Sequence, residues 1–413
     1  MRRRILIIGA GQAGLMLANS LSTDDYDVTV MTANTAEEIR GGRVRSTQMM
    51  FGPALDLERA RGLHFWEREA PAVTAMEVTV AGPSDTGPLH FTAHLDAYAQ
   101  SVDQRVKMSA WLKMFEDRGG KVIDRTVATS ELADLTRLFD LTIIAAGKGA
   151  LVDLFNRDPA RSPYERPQRH LSVIYVHGMA PRTGLVDEHI GITVIPGAGE
   201  LFTMPALTTT GRCDILFFEA VPHGPLDRWT NTPLKPQHHL QLALELMRQY
   251  APHEFERCRH VEPADERCTL TGAYTPIVRH PVGELPGGAY VLGMGDVVVA
   301  NDPIAGQGAN NAAHCAAIYE QAIIERGDRP FDPAWMRQTF EAYWAYAQHS
   351  TAFSNALLGP LPEHAQRLLA AAATNAAVAH RFAGGYADPA DFGRWFLDPA
   401  KAADYLNTLA ATP

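Results

Sequence analysis

Residues 2–14 read RRRILIIGAGQAG, in which a short apolar run is followed by three glycines at a fixed spacing. The run over residues 5–8 predicts a buried parallel strand, and residues 15–21 predict the helix that follows it. The glycines match the pattern GxGxxG, which permits a tight turn and the close approach of a pyrophosphate. They are Gly9, Gly11 and Gly14. Together with a second predicted strand over residues 26–31, the stretch forms a βαβ unit and indicates a dinucleotide-binding domain.

The end of the second predicted strand departs from the usual dinucleotide-binding pattern. An acidic residue commonly stands there and holds the ribose. In this chain Thr32 and Asn34 occupy the position, and Glu37 and Glu38 come later. We therefore expect the adenosine end of a bound dinucleotide to be held less tightly than usual.

A second glycine-rich stretch, VLGMGDVVVANDPIAGQGANN at residues 291–311, has a similar arrangement. An apolar strand over residues 290–292 leads into a glycine turn, a single acid (Asp296) and an alanine-rich helix over residues 309–325. The start of such a helix carries free backbone N–H groups and a partial positive charge. The helix start beside Gly308 is therefore suited to a negatively charged ring or phosphate.

Length and composition limit the class of protein. The chain has 413 residues, of which 46% are hydrophobic, and this suits a two-domain enzyme. The net charge of −10 gives no electrostatic reason to expect nucleic acid or a membrane surface as a partner. Since no apolar run approaches the roughly 20 residues of a membrane span, and the glycines interrupt the first one, we expect neither a membrane helix nor a signal peptide.

The cysteines and histidines suggest no metal site. The four cysteines lack CxxC spacing, and none of the sixteen histidines has the spacing of a metal-binding motif. His238 and His239 precede an amphipathic helix, and we expect both to be solvated. The simplest interpretation is a reduced, cytoplasmic protein without a bound metal.

The predicted strands and helices divide the chain into three parts, of α/β class overall. A discontinuous Rossmann-like domain is predicted over residues 1–48, 100–150 and 268–328. A β-rich substrate domain is predicted as an insertion over residues 49–99 and 151–267. Residues 329–413 are predicted to be a helical C-terminal region, in which residues 368–378 form one alanine-rich helix.

Only one stretch satisfies GxGxxG. The segments IPGAGELF and GMGDVV have Phe202 and Val298 in place of the third glycine. A second dinucleotide domain, for NAD(P)H, is therefore not predicted. A flavin enzyme of this kind must take NAD(P)H transiently or receive its electrons from elsewhere.

Three motifs together point to a family: GAGQAG at 9–14, AAGKGAL at 145–151 and GMGDVVVANDPIAGQGANNA at 293–312. Over the whole chain they resemble the two-component (group E) flavoprotein monooxygenases of the styrene and indole type, which share the p-hydroxybenzoate hydroxylase fold. Single-component relatives have Asp-Gly where this chain has Ala146 and Gly147. That departure agrees with the two-component type, in which a separate NADH-dependent flavin reductase delivers reduced FAD. The resemblance leaves a homodimer open.

The resemblance implies a set of FAD contacts. The glycine turn would contact the pyrophosphate, Asp296 the ribityl chain, and the turn before the second helix the isoalloxazine ring. The full set is Gly9, Gly11, Ala13, Gly14, Arg43, Arg105, Asp296, Pro303, Gly306, Gln307, Gly308 and Asn310. The alternative for Arg43 and Arg105 is a surface or interdomain ion pair, and the alternative for Asn310 is capping of the helix.

The resemblance also implies a substrate pocket, and its residues favour the indole branch of the family. The implied residues are Ser46, Gln48, Met50, Val73, Met76 and Ala99. Ser46, Gln48 and Met50 alternate within RVRSTQMM, so in a strand all three would face the same way. A hydroxyl or amide oxygen among them would accept the N–H of indole, and burying it unpaired against styrene would cost about 1–3 kcal/mol. The alternative is that Gln48 satisfies a neighbouring backbone group.

The implied reaction uses no catalytic side chain, because the cofactor carries the chemistry. Reduced FAD and O2 would form a C4a-hydroperoxyflavin that epoxidises the C2=C3 bond of indole, towards 3-hydroxyindole and indigo. One alternative is a styrene-type epoxidase that gives styrene oxide, and another is a non-catalytic binding protein on the same fold. A flavin-dependent halogenase is disfavoured because no two of the six tryptophans have the WxW spacing of that class.

Overall fold

The computed structural model describes residues 2–21, 26–82, 87–147, 149–229 and 234–410. It is a mixed α/β structure, as predicted. The strands are β1 (Arg3–Ile8), β2 (Tyr26–Thr32), β3 (Met49–Met50), β4 (Val73–Val80), β5 (Leu89–Ser101), β6 (Lys121–Asp124), β7 (Leu141–Ile144), β8 (His170–His177), β9 (Glu188–Ile195), β10 (Gly199–Thr208), β11 (Gly211–Ala220), β12 (Glu262–Pro263), β13 (Thr269–Ala273), β14 (Ile277–Val278), β15 (Val282–Leu285), β16 (Ala289–Gly293) and β17 (Val299–Ala300).

The α-helices lie between the strands and at the C-terminal end. They are α1 (Gln12–Leu21), α2 (Ala36–Arg40), α3 (Gly52–Ala60), α4 (Gln104–Asp117), α5 (Leu132–Leu135), α6 (Pro236–Tyr250), α7 (Pro252–Phe255), α8 (Gly308–Arg326), α9 (Pro333–Leu357), α10 (Glu363–Ala372), α11 (Ala376–Ala387), α12 (Pro389–Trp395) and α13 (Pro399–Ala410). Short 3-10 helices cover Thr129–Glu131, Val152–Leu154, Glu256–Cys258, Gly295–Val297 and Pro303–Ala305.

The first sheet has six strands in the order β15-β16-β7-β1-β2-β6, all parallel except the edge strand β15. Residues 5–8 of β1 are buried because helices such as α1 and α8 cover the sheet. The predicted strand, glycine turn, helix and second strand are all present at this end of the chain. The carboxyl ends of β1, β7 and β16 meet at one edge, which is where an open α/β sheet binds its ligand.

The second sheet has nine strands and is largely antiparallel. Its order is β12-β8-β11-β10-β9-β4-β5-β3, with β13 also paired to β8. A second apolar cluster lies between this sheet and the helices α6 and α10 to α12. Helix α9 spans both clusters, since Tyr343 packs in the first and Phe353 in the second.

The predicted single helix over residues 368–378 is wrong. The structure has two helices there, since α10 ends at Ala372 and Asn375 caps the start of α11. Its Oδ1 accepts a hydrogen bond from the backbone N–H of Ala377 at 3.0 Å. An asparagine that bonds its own backbone in this way favours a helix start over a helix interior.

Within the described ranges, no helix combines the length and the apolar character that a membrane crossing requires.

Candidate functional site

The turn after β1 needs glycine at two positions because the backbone is crowded there. Gly9 has a φ of +123°, and a Cβ at this position would lie 2.6 Å from the carbonyl carbon of Ala145. A Cβ on Gly14 would lie 2.3 Å from the carbonyl oxygen of Gly9. The turn therefore packs closely on the backbone that follows β7, and α1 packs closely on the turn, so that neither position has room for a Cβ.

The same turn is open at its third glycine. A Cβ on Gly11 would meet no atom within 4 Å among the described residues. Gly11 directly precedes α1, whose first N–H groups have no partner within the helix. The turn thus presents backbone donors and the positive end of a helix dipole to a space that side chains leave free.

The other two motifs meet this turn. A Cβ on Gly147 would lie 2.9 Å from the Cβ of Asp296, and a Cβ on Gly295 would lie 3.1 Å from the Cβ of Ala13. Asp296 follows β16 and is exposed. Residues far apart in the sequence are therefore brought together at the carboxyl edge of the parallel sheet. Lys148 of the second motif lies outside the described residues.

The turn before α8 is held by its own side chains. Asp302 caps the 3-10 helix at Pro303–Ala305, since its Oδ1 accepts from the N–H of Ile304 at 3.1 Å. Gly306 has a left-handed φ of +61°, and α8 begins two residues later. Gln307 is 1% exposed, and its Nε2 donates to the carbonyl of Tyr386 at 3.1 Å. Its Oε1 has no hydrogen-bond partner among the described residues.

Asn310 joins α8 to the segment at β3 instead of capping the helix. Its Nδ2 donates to the carbonyls of Met49 at 3.0 Å and Gly306 at 2.9 Å. Its Oδ1 accepts from the N–H of Phe51 at 2.9 Å. The capping alternative for Asn310 is therefore wrong, because its oxygen is bonded outside the helix.

These features fit a flavin dinucleotide. The space over Gly11 and the helix starts at α1 and α8 suit its phosphates and its anionic ring. At the adenosine end, Glu38 closes a capping box with Thr35, so its carboxylate is already engaged. Thr32 Oγ1 likewise donates to the carbonyl of Asn34 at 3.0 Å. Each of the twelve FAD contacts implied by the sequence stays a prediction.

Arg105 lies in a buried ion network. It is 3% exposed, and its guanidinium donates to Asp103 at 2.8 Å and to Thr208 at 2.9 Å. A third partner, Asp265, lies 2.9 Å away. Burial lowers the pKa of Arg105, but the hydrogen bonds and charges of Asp103 and Asp265 outweigh it and raise the pKa overall. Arg105 thus forms the ion pair between distant segments that was the alternative to an FAD contact. Arg43, in contrast, is exposed.

The segment that carries the predicted substrate residues is not a continuous strand. Only Met49–Met50 is a strand, and Gln48 has a left-handed φ of +33°. The expectation that Ser46, Gln48 and Met50 face one way is therefore wrong, since it required extended backbone throughout. Met50 turns towards the other core, where its sulfur lies 3.0 Å from Lys107 Nζ.

The amide of Gln48 is oriented by two hydroxyl groups. Tyr175 donates its hydroxyl hydrogen to the carbonyl of Ser46 at 2.6 Å, and Ser101 donates to the carbonyl of Thr47 at 2.9 Å. Both hydroxyl oxygens must then accept, so they face Nε2 of Gln48, at 3.0 and 3.5 Å. Its Oε1 is left buried without a partner among the described residues, and Gln48 is 4% exposed.

The remaining predicted pocket residues lie nearby in the second core. Val73 on β4 pairs with Ala99 on β5, and Met76 follows on the same strand. All three are 0% exposed and belong to the apolar cluster that includes Met49. The structure therefore brings Val73, Met76 and Ala99 together and places Met50 elsewhere.

Sequence reasoning missed a buried ion pair beside Met50. Lys107 Nζ lies 2.7 Å from Glu58, which also accepts from Gln12 Nε2 at 2.7 Å. Burial raises the pKa of Glu58, but the charge of Lys107 and hydrogen bonds from His64, Lys107 and Gln12 hold it below its ordinary value. Glu58 and Lys107 lie on different helices, so no local pattern could have indicated the pair.

His239 is a further correction. It is 2% exposed instead of solvated, and its Nε2 lies 2.7 Å from the hydroxyl of Ser172. Burial lowers the pKa of His239 to about 4. Its neighbour His238 is exposed, as expected. Adjacent residues of an amphipathic helix face different sides, so His239 lies on the apolar face of α6 and His238 lies on its polar face.

Comparison with known proteins places the chain in a family. Residues 147–257 match the model described as "Styrene monooxygenase A putative substrate binding domain". The chain is 30% identical to "Styrene monooxygenase StyA" of Pseudomonas fluorescens over 100% of its length and 99% of the relative's. It is 28% identical, with the same coverage, to "Styrene monooxygenase StyA" of a Pseudomonas species.

The fold is also shared with solved structures. The flavin-dependent brominase Bmp2 superposes over 100% of both chains with a TM-score of 0.62 and 12% identity, a likeness of fold alone. This confirms the predicted fold class. The indole branch stays a prediction, because both StyA relatives carry the name of the styrene enzyme. The chain belongs to the styrene monooxygenase StyA family.

Proposed function

We propose that the protein is the oxygenase of a two-component monooxygenase that epoxidises indole at its C2=C3 bond. Family membership supports a flavin-dependent monooxygenase of the epoxidase type. The single GxGxxG supports a separate NADH-dependent reductase as the source of reduced FAD. When bound, reduced FAD would activate O2 so that one oxygen atom is transferred to the substrate.

The unpaired oxygen of Gln48 is the observation that carries the choice of indole. Oε1 is buried without a partner among the described residues, and the hydroxyl oxygens of Tyr175 and Ser101 accept from Nε2 on the amide's other side. A buried acceptor without a partner costs free energy, which a ligand with an N–H group relieves. Indole has one such group, and styrene has none.

The chain's other residues would orient the ring and keep water out. Val73, Met76 and Ala99 are apolar and fully buried, and they would form an apolar wall around a bound substrate. The N-terminus of α8 would favour the anionic form of the reduced flavin. No side chain has to transfer a proton in this scheme, so binding and exclusion of water are the protein's contributions.

Styrene epoxidation is the second candidate. Both StyA relatives are styrene monooxygenases by name, which favours it directly. On that substrate the Oε1 atom of Gln48 would stay unpaired in the complex. The two candidates therefore differ in one measurable quantity, the ratio of kcat/KM for indole to kcat/KM for styrene.

Enzymatically reduced FAD, air and purified protein test the proposal, with indole and styrene supplied separately. A blue pigment from indole, formed faster than styrene oxide from styrene, is the expected result. Faster formation of styrene oxide would assign the protein to the second candidate. Reduced FAD with air but without protein is the control for unassisted oxidation. Hydrogen peroxide alone would contradict both substrates, and failure to bind reduced FAD would favour a non-catalytic binding protein.

A further inference from the structure

Two acidic side chains that the proposed reaction does not use face each other in the interior. Glu219 lies on β11 and is 0% exposed, and Asp302 precedes the turn at Pro303–Ala305 and is 1% exposed. The two side chains interact with each other, and both carboxyl oxygens of Glu219 and Oδ2 of Asp302 are buried without a hydrogen-bond donor among the described residues. A carboxylate only accepts hydrogen bonds, so a bond between two carboxyl groups requires a proton on one of them.

The surrounding charges do not neutralise the pair. Arg169 is the nearby cation, but it is already bound to both oxygens of Glu200, at 2.7 and 3.0 Å. Glu200 is the cross-strand partner of Glu219 and adds a second negative charge. Tyr164, also nearby, donates its hydroxyl to the carbonyl of Asn355 at 2.9 Å. Two anions at Glu219 and Asp302 would therefore repel each other without compensation.

The proton is assigned to Glu219 by the contacts of the two groups. Asp302 accepts from the N–H of Ile304, a bond that favours its charged form. Neither carboxyl oxygen of Glu219 accepts from any backbone or side-chain N–H of the described residues. Burial, followed by the charge of Asp302, raises the pKa of Glu219 well above its ordinary value.

We propose that Glu219 is a positioning residue, a neutral acid that donates a hydrogen bond to Asp302 and so fixes the turn that leads into α8. In this arrangement Asp302 caps the turn at Pro303–Ala305 with one carboxyl oxygen and accepts the hydrogen bond of Glu219. The turn continues through Gly306 and Gln307 to the start of α8, where the flavin ring is placed by the proposed function. The shared proton thereby connects the second sheet, through β11, to the flavin-facing turn.

The shared proton is tested on the protein without FAD, and so independently of the proposed function. Thermal and chemical unfolding of the wild type and of Glu219→Gln is measured from about pH 5 to about pH 9. A group whose pKa is raised by folding loses its stabilising effect as pH rises. We expect the folding equilibrium constant of Glu219→Gln to gain on that of the wild type by up to tenfold per pH unit above about pH 5.

Glu254→Gln is the matched control. Glu254 is also buried, but Arg182 and Arg257 hold its pKa below the ordinary value despite burial. Its effect on stability should therefore be constant over the same pH range. A pH series for Glu219→Gln as flat as that of the control would overturn the shared proton.

The positioning role is tested by binding of oxidised FAD, followed by quenching of flavin fluorescence. Glu219→Gln keeps a neutral donor and should bind with a Kd within about threefold of the wild type. Glu219→Leu removes the donor and should weaken binding about tenfold or more while still unfolding cooperatively. Equal affinity of Glu219→Leu and the wild type would overturn the positioning role. Failure of the wild type to bind oxidised FAD would overturn the positioning role but not the proposed function, which uses reduced FAD, and the pH series would still decide on the shared proton.

Discussion

Replacement of Gln48 by methionine should change the substrate preference of the protein. Methionine is unbranched and similar in length, so it suits a position at which φ is +33°. Valine would be a poorer choice there, because a β-branched side chain is strained at positive φ. The substitution removes the oxygen that we propose accepts the indole N–H and leaves an apolar group in its place.

The magnitude follows from the loss of one buried hydrogen bond. Such a bond, formed by an acceptor that is otherwise unpaired, contributes about 1–3 kcal/mol, which corresponds to about 5- to 150-fold in kcat/KM. Indole should lose this factor with Gln48→Met, while styrene should change by less than about threefold because it has no N–H group to lose. The ratio of the two kcat/KM values is therefore the quantity to measure.

The assay uses reduced FAD at a fixed concentration with each substrate in turn. Tyr175→Phe is the matched control, since it removes the hydroxyl that orients the amide but leaves Oε1 of Gln48 in place. It should reduce the preference for indole by less than Gln48→Met does. If Gln48→Met lowers kcat/KM for both substrates equally, Gln48 supports the fold of the segment and does not select the substrate.

Three further predictions test other parts of the structure. Gly11→Ala should leave the unfolding temperature unchanged and weaken FAD binding, as judged by fluorescence quenching, because its Cβ enters open space; Gly9→Ala, whose Cβ would lie 2.6 Å from backbone, should instead lower the unfolding temperature. Lys107→Met leaves the carboxylate of Glu58 buried without its cation and should cost about 3–5 kcal/mol in urea unfolding. Most of this loss should return in the double variant with Glu58→Leu, and no recovery would refute the ion-pair explanation. Because burial lowers the pKa of His239 from 6.5 to about 4, the wild type should lose about 3 kcal/mol as pH falls through that window. A buffer series should show that His239→Gln lacks this loss, and an equal loss in the variant would assign it to other groups.

Local patterns were sufficient for the βαβ unit at the start of the parallel sheet. The strand, the glycine turn and the helix at residues 3–21 depend on neighbours in sequence, and the bounds agree within a few residues. The glycines at 9 and 14 are required by contacts within a single βαβ unit and with β7. The crowding at Gly14 thus comes from within the βαβ unit, whereas the crowding at Gly9 comes from Ala145, which is distant in the sequence.

The substrate segment could not be predicted in the same way. Its alternation of side chains indicated a strand, yet the backbone at Gln48 has a left-handed φ. The contacts of this segment lie on distant elements. Gln48 is hydrogen-bonded to Tyr175, and Asn310 is hydrogen-bonded to the neighbouring Met49 and Phe51. Sequence alone gives no account of a contact that spans more than a hundred residues. The direction of the Gln48 side chain was therefore not predictable from the sequence, and its role in substrate choice stays a prediction.

The two acids at 219 and 302 went unnoticed for a related reason. One lies in a strand of the second sheet and the other in the turn before α8, and each is ordinary in its own segment. Only the fold brings them into contact. Buried titratable pairs of this kind belong to tertiary structure, and sequence patterns of charge do not reveal them.

The three hydrogen bonds of Asn310 have a consequence for how new substrate preferences arise. They fasten the main chain at Met49 and Phe51 to the turn at Gly306, whatever side chains the segment carries. Under the proposed function, an exchange of side chain at Ser46 or Gln48 would then reshape the pocket while the backbone beside the proposed flavin site keeps its place. Evolution or protein engineering would in this way vary what is oxidised without disturbing how the oxidant is held.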